Sequence, residues 1–191
     1  MIYKNNKINY DGSLIHKRFG YEFYRKDYNP SGVVVIFRGN MDVTTNLIDL
    51  EDKINDDYIH SEDAINICWE IPSMSPLGAV FFQRLFINYV AQTIQKMRGF
   101  FDIKVEGDDI MIKQDQNDDY KKASVSITKV VDGDIALGHL GLNIIAGSYA
   151  PSFAFSLNLN DKEVEELSQK INDVFYDTIK DCFIATTKVV I

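Results

Sequence analysis

Between Gly107 and Asn143 the hydrophobic rhythm of the chain changes twice, and each change limits what the surrounding sequence can become. Ile110, Met111 and Ile112 form a short apolar run, residues 113–120 are a polar, acidic loop, and residues 122–131 then alternate as a half-buried strand does. The two runs read as the arms of a β-hairpin with a long acidic tip. Period-two geometry sets Lys122, Ser124, Ser126 and Thr128 on one face of the second arm, with Ala123, Val125, Ile127 and Lys129 on the other. Asp132-Gly133-Asp134 supplies a turn. Residues 135–145 return as a mostly apolar strand in which Gly138 and Gly141 leave the backbone open to close approach. A lysine and three hydroxyls beside a glycine-bearing strand can hold a polar or phosphorylated ligand; the same residue types also make an ordinary solvated sheet face.

Such strands need partners, and the flanking sequence supplies them. Residues 33–37 are a β-branched apolar run, the pattern of a central strand covered on both faces, and residues 64–71 are a second, with Trp69 and an exposed Glu70 near its exit. Ser75-Pro76 fits a helix N-cap followed by proline, and residues 77–98 read as a long helix stopped by Gly99. Val80, Phe81, Leu85, Phe86, Tyr89, Val90, Ile94 and Met97 are its expected core stripe. Residues 100–105 and 153–159 read as strands, with a turn at residues 148–151. Asn160-Asp161-Lys162-Glu163 resembles a capping box ahead of a second helix whose apolar stripe is Val164, Leu167, Ile171, Val174, Phe175 and Ile179. Residues 1–10 suggest a short edge strand, and residues 183–191 a last strand or the cover of a subunit contact. The sum is an α+β layout: about eight strands in a mixed, mainly antiparallel sheet covered by two long helices. With 191 residues, 46% of them hydrophobic, and no linker or repeat, residues 1–191 are expected to form a single domain.

The charge balance narrows the partners. Lysine and arginine total 20 against 28 aspartates and glutamates, so a broad electrostatic grip on nucleic acid is not expected. Cys68 and Cys182 lie far apart in apolar surroundings and read as two buried thiols of a reducing compartment. No run approaches the ~20 apolar residues of a membrane span, and residues 1–13 lack a signal-type apolar segment, which gives a cytoplasmic expectation.

Two further stretches carry chemistry-bearing residues. Arg38 emerges from a buried strand next to Gly39, a pairing suited to an anion, or to a structural ion pair with Asp42 or Asp49. Asp49, Glu51 and Asp52 place three carboxylates within four residues; the spacing matches no calcium loop and reads as a solvated acidic turn. His16, His60 and His139 show no HxH or HExxH spacing, so no metal ligands are assigned.

Asp108-Asp109 before a strand, Lys122-Ala123-Ser124-Val125-Ser126 opening the next, and His139-Leu140-Gly141-Leu142-Asn143 on the returning strand resemble the core of the biotin and lipoate protein ligases. Through FRGNMDV, LIDLED, HSEDAI, QRLF, GDDI and KASVSIT, nearly the whole chain resembles DUF366, a family of unknown function. The ligase resemblance implies a ligase or acyltransferase acting on a small carboxylic acid or its adenylate, with ATP and magnesium as cofactors. Lys122 and Asp109 are then the candidate catalytic residues, and Arg38, Gly39, Asp108, Ser124, Ser126, His139 and Asn143 the candidate ligand-binding ones. The chain departs from the ligases in lacking their basic, glycine-rich nucleotide loop and in carrying Val125 where they have glycine. A non-catalytic small-molecule-binding or dimeric scaffold of the same fold is the alternative. The expected partners are a small-molecule ligand and, as an open case, a second copy of the chain in a homodimer.

Overall fold

The computed structural model describes residues 8–188. Among them, seven strands form two antiparallel sheets. The larger has the order β1 (Val33–Val43), β2 (Ile59–Ile71), β7 (Ile135–Ile145), β6 (Ser124–Val131), and the smaller the order β3 (Asp102–Glu106), β4 (Asp109–Lys113), β5 (Lys121–Lys122). Two long helices, α3 (Pro76–Arg98) and α4 (Asp161–Thr187), lie on one face of the larger sheet. The other face is covered by the segment that runs from Tyr10 through α1 (Phe19–Tyr24) and by Leu47, just before α2 (Leu50–Ile54). This is the α+β arrangement expected from the sequence. No helix among the described residues is long and apolar enough to cross a membrane.

Two covered faces explain why β1 and β2 read as continuous apolar runs. Alternate residues of one strand enter different cores: Val34, Ile36, Ile65, Ile67 and Trp69 face the helices, while Val35, Phe37, Ala64 and Cys68 face the N-terminal segment. Trp69 meets Phe86 edge to face at 5.6 Å, and Phe175 of α4 packs on Phe86 at 5.6 Å, so one aromatic cluster joins the sheet to both helices. The helix ends follow from local chemistry. Ser75 Oγ accepts the Gly78 N–H at 3.1 Å, and Gly99 closes α3 in the left-handed conformation at φ 59°. The capping box of α4 is complete, with Asn160 Oδ1 accepting the Glu163 N–H at 3.1 Å and Glu163 Oε2 accepting the Asn160 N–H at 2.9 Å.

Several local expectations give way to tertiary context. The presumed hairpin arm is split at Ala123: Lys121 and Lys122 pair with β4 in the smaller sheet, whereas β6 pairs with β7 in the larger. The presumed central strand β1 is last in its sheet order; on the edge away from β2 it is flanked, among the described residues, by residues 8–10, which run parallel to it through the bridge Tyr10–Met41. Residues 1–7 of the expected edge strand lie outside the described residues. Glu70 is buried, not exposed, and accepts hydrogen bonds from the Tyr28 hydroxyl at 2.9 Å and the Gly20 N–H at 3.4 Å. In α3 the buried stripe is Ala79, Phe82, Gln83, Phe86, Ile87, Val90, Ala91 and Ile94, leaving Phe81, Leu85 and Tyr89 exposed. The helix is apolar on most sides, so periodicity alone does not choose between adjacent stripes. Residues 153–159 make no strand ladder, because their backbone changes partner from Lys122 to Asn143 and Ile144 and Asn158 turns left-handed at φ 51°. Residues 183–187 continue α4, Cys182 on it is exposed, and residues 189–191 lie outside the described residues.

Gly138 and Gly141 are approached by the chain's own side chains: the Trp69 indole fills the space above Gly138, and Met41 that above Gly141. Gly138→Ala therefore drives a methyl into a rigid ring and is expected to lower unfolding free energy by about 1–3 kcal/mol in urea. Gly141→Ala, which meets chiefly a movable thioether, is expected to lower it less.

Candidate functional site

A cavity of about 470 Å³ lies on the sheet face opposite the long helices, within the size range of small-molecule sites. Val125 and Ile127 of β6 and His139 and Asn143 of β7 contribute to its wall, and Tyr10 and Gly12 of the N-terminal segment close another side. Asp49, Glu51 and Asp52 of the α2 region, with Asp57, Tyr58 and His60, line it further, and Asp109, Lys122 and Phe153 come from the smaller sheet and its neighbouring loop. The crossover at Ala123 brings these sources together, since Lys122 is fixed by the smaller sheet and Val125 by the larger.

Lys122 is held by its backbone on both sides, donating to Phe153 O and accepting from Phe155 N–H, each at 2.8 Å. Its Nζ lies 2.9 Å from Asp109 Oδ1, both side chains about a third exposed. Burial pushes the Asp109 carboxyl above its ordinary range, with Lys122 pulling the other way. Across the cavity, burial and then the neighbouring Asp49 and Asp57 push the Asp52 carboxyl upward, with Lys122 again opposing. Asp108 turns toward α3, where Arg84 Nη1 contacts its Oδ1 at 3.1 Å.

His139 is buried and stacked on Tyr10, ring centroids 3.7 Å apart and 11° from parallel. Asn66 Nδ2 donates to Gly39 O, which leaves Asn66 Oδ1 to accept the His139 Nε2–H at 3.0 Å. Burial pushes the pKa of the imidazole down to about 3, which keeps it neutral at pH 7. Asn143 is 5% exposed, and its Oδ1 has no hydrogen-bond partner among the described residues; His60 Nε2 is likewise buried without one among them.

The hydroxyl row is committed elsewhere. Ser124 Oγ accepts the Ile110 N–H at 2.8 Å, and Ser126 Oγ donates to His139 O and accepts from Gln83 Nε2, both at 2.8 Å. Both serines border the cavity, but their hydrogen bonds join the two sheets and α3. Arg38 and Gly39 stand apart from the cavity lining. The Arg38 guanidinium spans Asp63, with Nη2 at 2.6 Å, and Asp161, with Nη1 at 2.7 Å, rather than Asp42 or Asp49. At Gly39 a side chain would collide with the Ile8 backbone, so the glycine admits the outer segment and not a ligand. Asp49 caps α2, its Oδ1 accepting the Glu51 N–H at 2.8 Å, so the presumed acidic turn is a helix start that faces the cavity. Tyr10, Tyr58 and Phe153 carry no sequence signal of a role here; long-range packing alone brings them in. Among the described residues no group of three or more histidine, cysteine, aspartate or glutamate side chains is arranged to hold a metal ion.

Comparisons with known proteins agree with this geometry at the level of fold. The family model described as "Domain of unknown function (DUF366)" matches residues 1–190. A protein of unknown function from Pyrococcus horikoshi aligns at TM-score 0.84 and 24% identity, over 100% of this chain and 97% of that one. The biotin protein ligase of Aquifex aeolicus in complex with biotin and ATP aligns at TM-score 0.53 and 12% identity, over 91% and 68%. A bipartite lipoate protein ligase from Thermoplasma acidophilum aligns at TM-score 0.51 and 12% identity, over 89% and 82%. No curated protein matches the chain.

Replacing Arg38 with alanine strips three hydrogen bonds from the buried Asp63 carboxylate. The expected result is a loss of about 2–3 kcal/mol in unfolding free energy with the cavity's ligand affinity unchanged, read by urea titration and calorimetry. The neutral His139 supplies a pH signature. Its folded pKa lies below the unfolded value near 6.5, so the unfolded chain takes up the extra proton first and stability falls as pH drops from 6.5 toward 3. His139→Leu is expected to flatten that fall by roughly 2–3 kcal/mol between pH 7 and 4.5, measured as the change in unfolding free energy.

Proposed function

The chain belongs to the DUF366 family, and on that footing we propose that its cavity binds a small carboxylic acid or an activated acyl form of one, as an acyltransferase- or ligase-type enzyme. The observation that carries this reading is the Lys122–Asp109 contact, a fixed cation in a partly shielded cavity. Asp109 aims the ammonium, Lys122 donates to the acyl oxygen, and negative charge that develops there in the transition state meets a group already in place. The stacked Tyr10–His139 pair supplies an apolar floor that excludes water from the acyl chain.

The resemblance to ligases also implies ATP and magnesium, and the residues present do not fit the nucleotide. Among the described residues Lys122 is the sole lysine or arginine in the lining, against Asp49, Glu51, Asp52, Asp57, Asp108 and Asp109, and Arg38 is engaged outside it. Such a field repels a polyphosphate. The acyl group is therefore expected to arrive already activated, or to be bound without turnover. The second case, a binding protein that keeps the fold, is favoured by Val125 standing in the cavity wall.

Lys122→Ala tests the proposal. The ion pair, about a third exposed, contributes little to stability, so the melting temperature is expected to fall by less than about 3 °C. Affinity for short-chain carboxylates is expected to fall tenfold or more by calorimetry. Unchanged affinity would sink the role of Lys122, and micromolar binding of Mg-ATP, about 8 kcal/mol, would restore the nucleotide-dependent reading. Hydrolysis or transfer from acyl thioesters, lost in the variant, separates enzyme from binding protein.

A further inference from the structure

The two long helices lie on the same face of the larger sheet but present different surfaces outward. The outer side of α4 carries Glu165, Glu166, Lys170, Asp173 and Asp177, as a water-facing helix side does. On α3, residues 76–95 hold one charged residue, Arg84, and it contacts Asp108 at 3.1 Å. Leu77, Val80, Phe81, Leu85 and Tyr89 are exposed along this helix, Leu77 by 62% and Phe81 by 64%. Exposed aromatic and aliphatic side chains in a patch depleted of charge are the mark of an interface centre.

A second feature, in the backbone, adjoins the first. Gln83 of α3 bonds Ser126 of β6 at 2.8 Å, so this helix lies over the last strand of the larger sheet. Asn143 N–H donates to Ala123 O, and in the register that follows the odd positions of β6 bond β7. Ser126, Thr128 and Val130 therefore turn their N–H and C=O groups outward, where no described strand meets them. Other sheet margins are guarded: β1 is bulged between Gly39 and Met41 and covered by residues 8–10, and β3 is short, with Asp102, Lys104 and Glu106 along it. By contrast β6 runs for eight residues without proline or glycine and pairs β7 in one unbroken register. Its one charged residue, Lys129, alternates to the face opposite Val130, which packs under the helices.

We propose that the β6 edge and the uncharged side of α3 together form the contact with a second copy of this chain, in a two-fold dimer whose sheet is continuous across the axis. A row of outward backbone groups is answered in full only by another strand. A copy of β6 supplies one, antiparallel about an axis at Thr128, and a two-fold normal to the sheet sets α3 beside its own counterpart. Charge selects a copy over a foreign partner. Each chain carries a formal net charge of -8, so two copies approach at least cost where the surface is neutral, whereas a partner drawn by charge would seat on an acidic face instead. The proposal does not depend on what the cavity binds.

Sedimentation velocity of the full chain at about 50 μM tests this. The expected result is a dimer that persists when sodium chloride is raised tenfold, because salt screens the repulsion between the copies and takes nothing from an uncharged contact. Phe81→Glu is expected to weaken the dimer tenfold or more with its circular dichroism unchanged, and Leu77→Glu, in the same row, to do likewise. Hydrogen exchange at the Thr128 and Val130 amides is expected to quicken in Phe81→Glu, while the Leu140 amide, inside the sheet, stays slow. Phe183→Glu, at an exposed site near the end of α4, is expected to leave the dimer intact. A wild-type monomer at that concentration would overturn the proposal, as would a dimer that survives both α3 variants or one that Phe183→Glu alone dissociates. Dissociation without faster exchange at Thr128 and Val130 would overturn the continuous sheet.

Discussion

The fold turns on a single extended segment that serves two sheets. At Ala123 the chain leaves the smaller sheet for the larger, and the exchange is sealed by hydrogen bonds in both directions: Ala123 N–H to Ile110 O, and Asn143 N–H to Ala123 O. Ser124 Oγ holds the Ile110 N–H that the departing strand would otherwise leave unpaired. Because the two sheets diverge from this seam, the residues just before and just after it end up on different walls of one recess. Lys122 and Val125, three positions apart, thereby face a common space with different supports.

The parts of this arrangement that sequence discloses are the ones governed by near neighbours. The Ser75 and Asn160 caps, the glycine stop at Gly99 and the apolar stripe of α4 follow from chemistry within one or two turns of chain. The face of α3 does not, because Phe81, Leu85 and Tyr89 are as apolar as the residues that win burial, and only the position of the sheet decides between them. The break at Ala123 leaves no mark either: alternation is the same whether a strand keeps one partner or changes it. Arg38 shows the same limit, its two carboxylate partners lying 25 and 123 residues away in sequence.

At the cavity, residue types are more legible than their duties. Lys122, Asp109, His139 and Asn143 stand out as polar groups on apolar strands, and the structure collects all four around one space. The serines also stand out, yet a hydroxyl bonds backbone as readily as ligand, and here it bonds the protein. Likeness of fold to the biotin and lipoate ligases sits beside a different electrostatic lining, which is why the fold alone decides little about the chemistry.

The segment from Ile8 to Tyr10 has two loyalties. Its backbone extends the large sheet along β1, and its last ring is part of the cavity's lining, stacked on His139. Whatever occupies the cavity against Tyr10 therefore also bears on how firmly this outermost segment stays docked, by the same free energy that favours the occupied state over the empty one. Ligand occupancy would be readable at a distance from the ligand, as slower exchange of the Tyr10 amide hydrogen that bonds to Asn40 O.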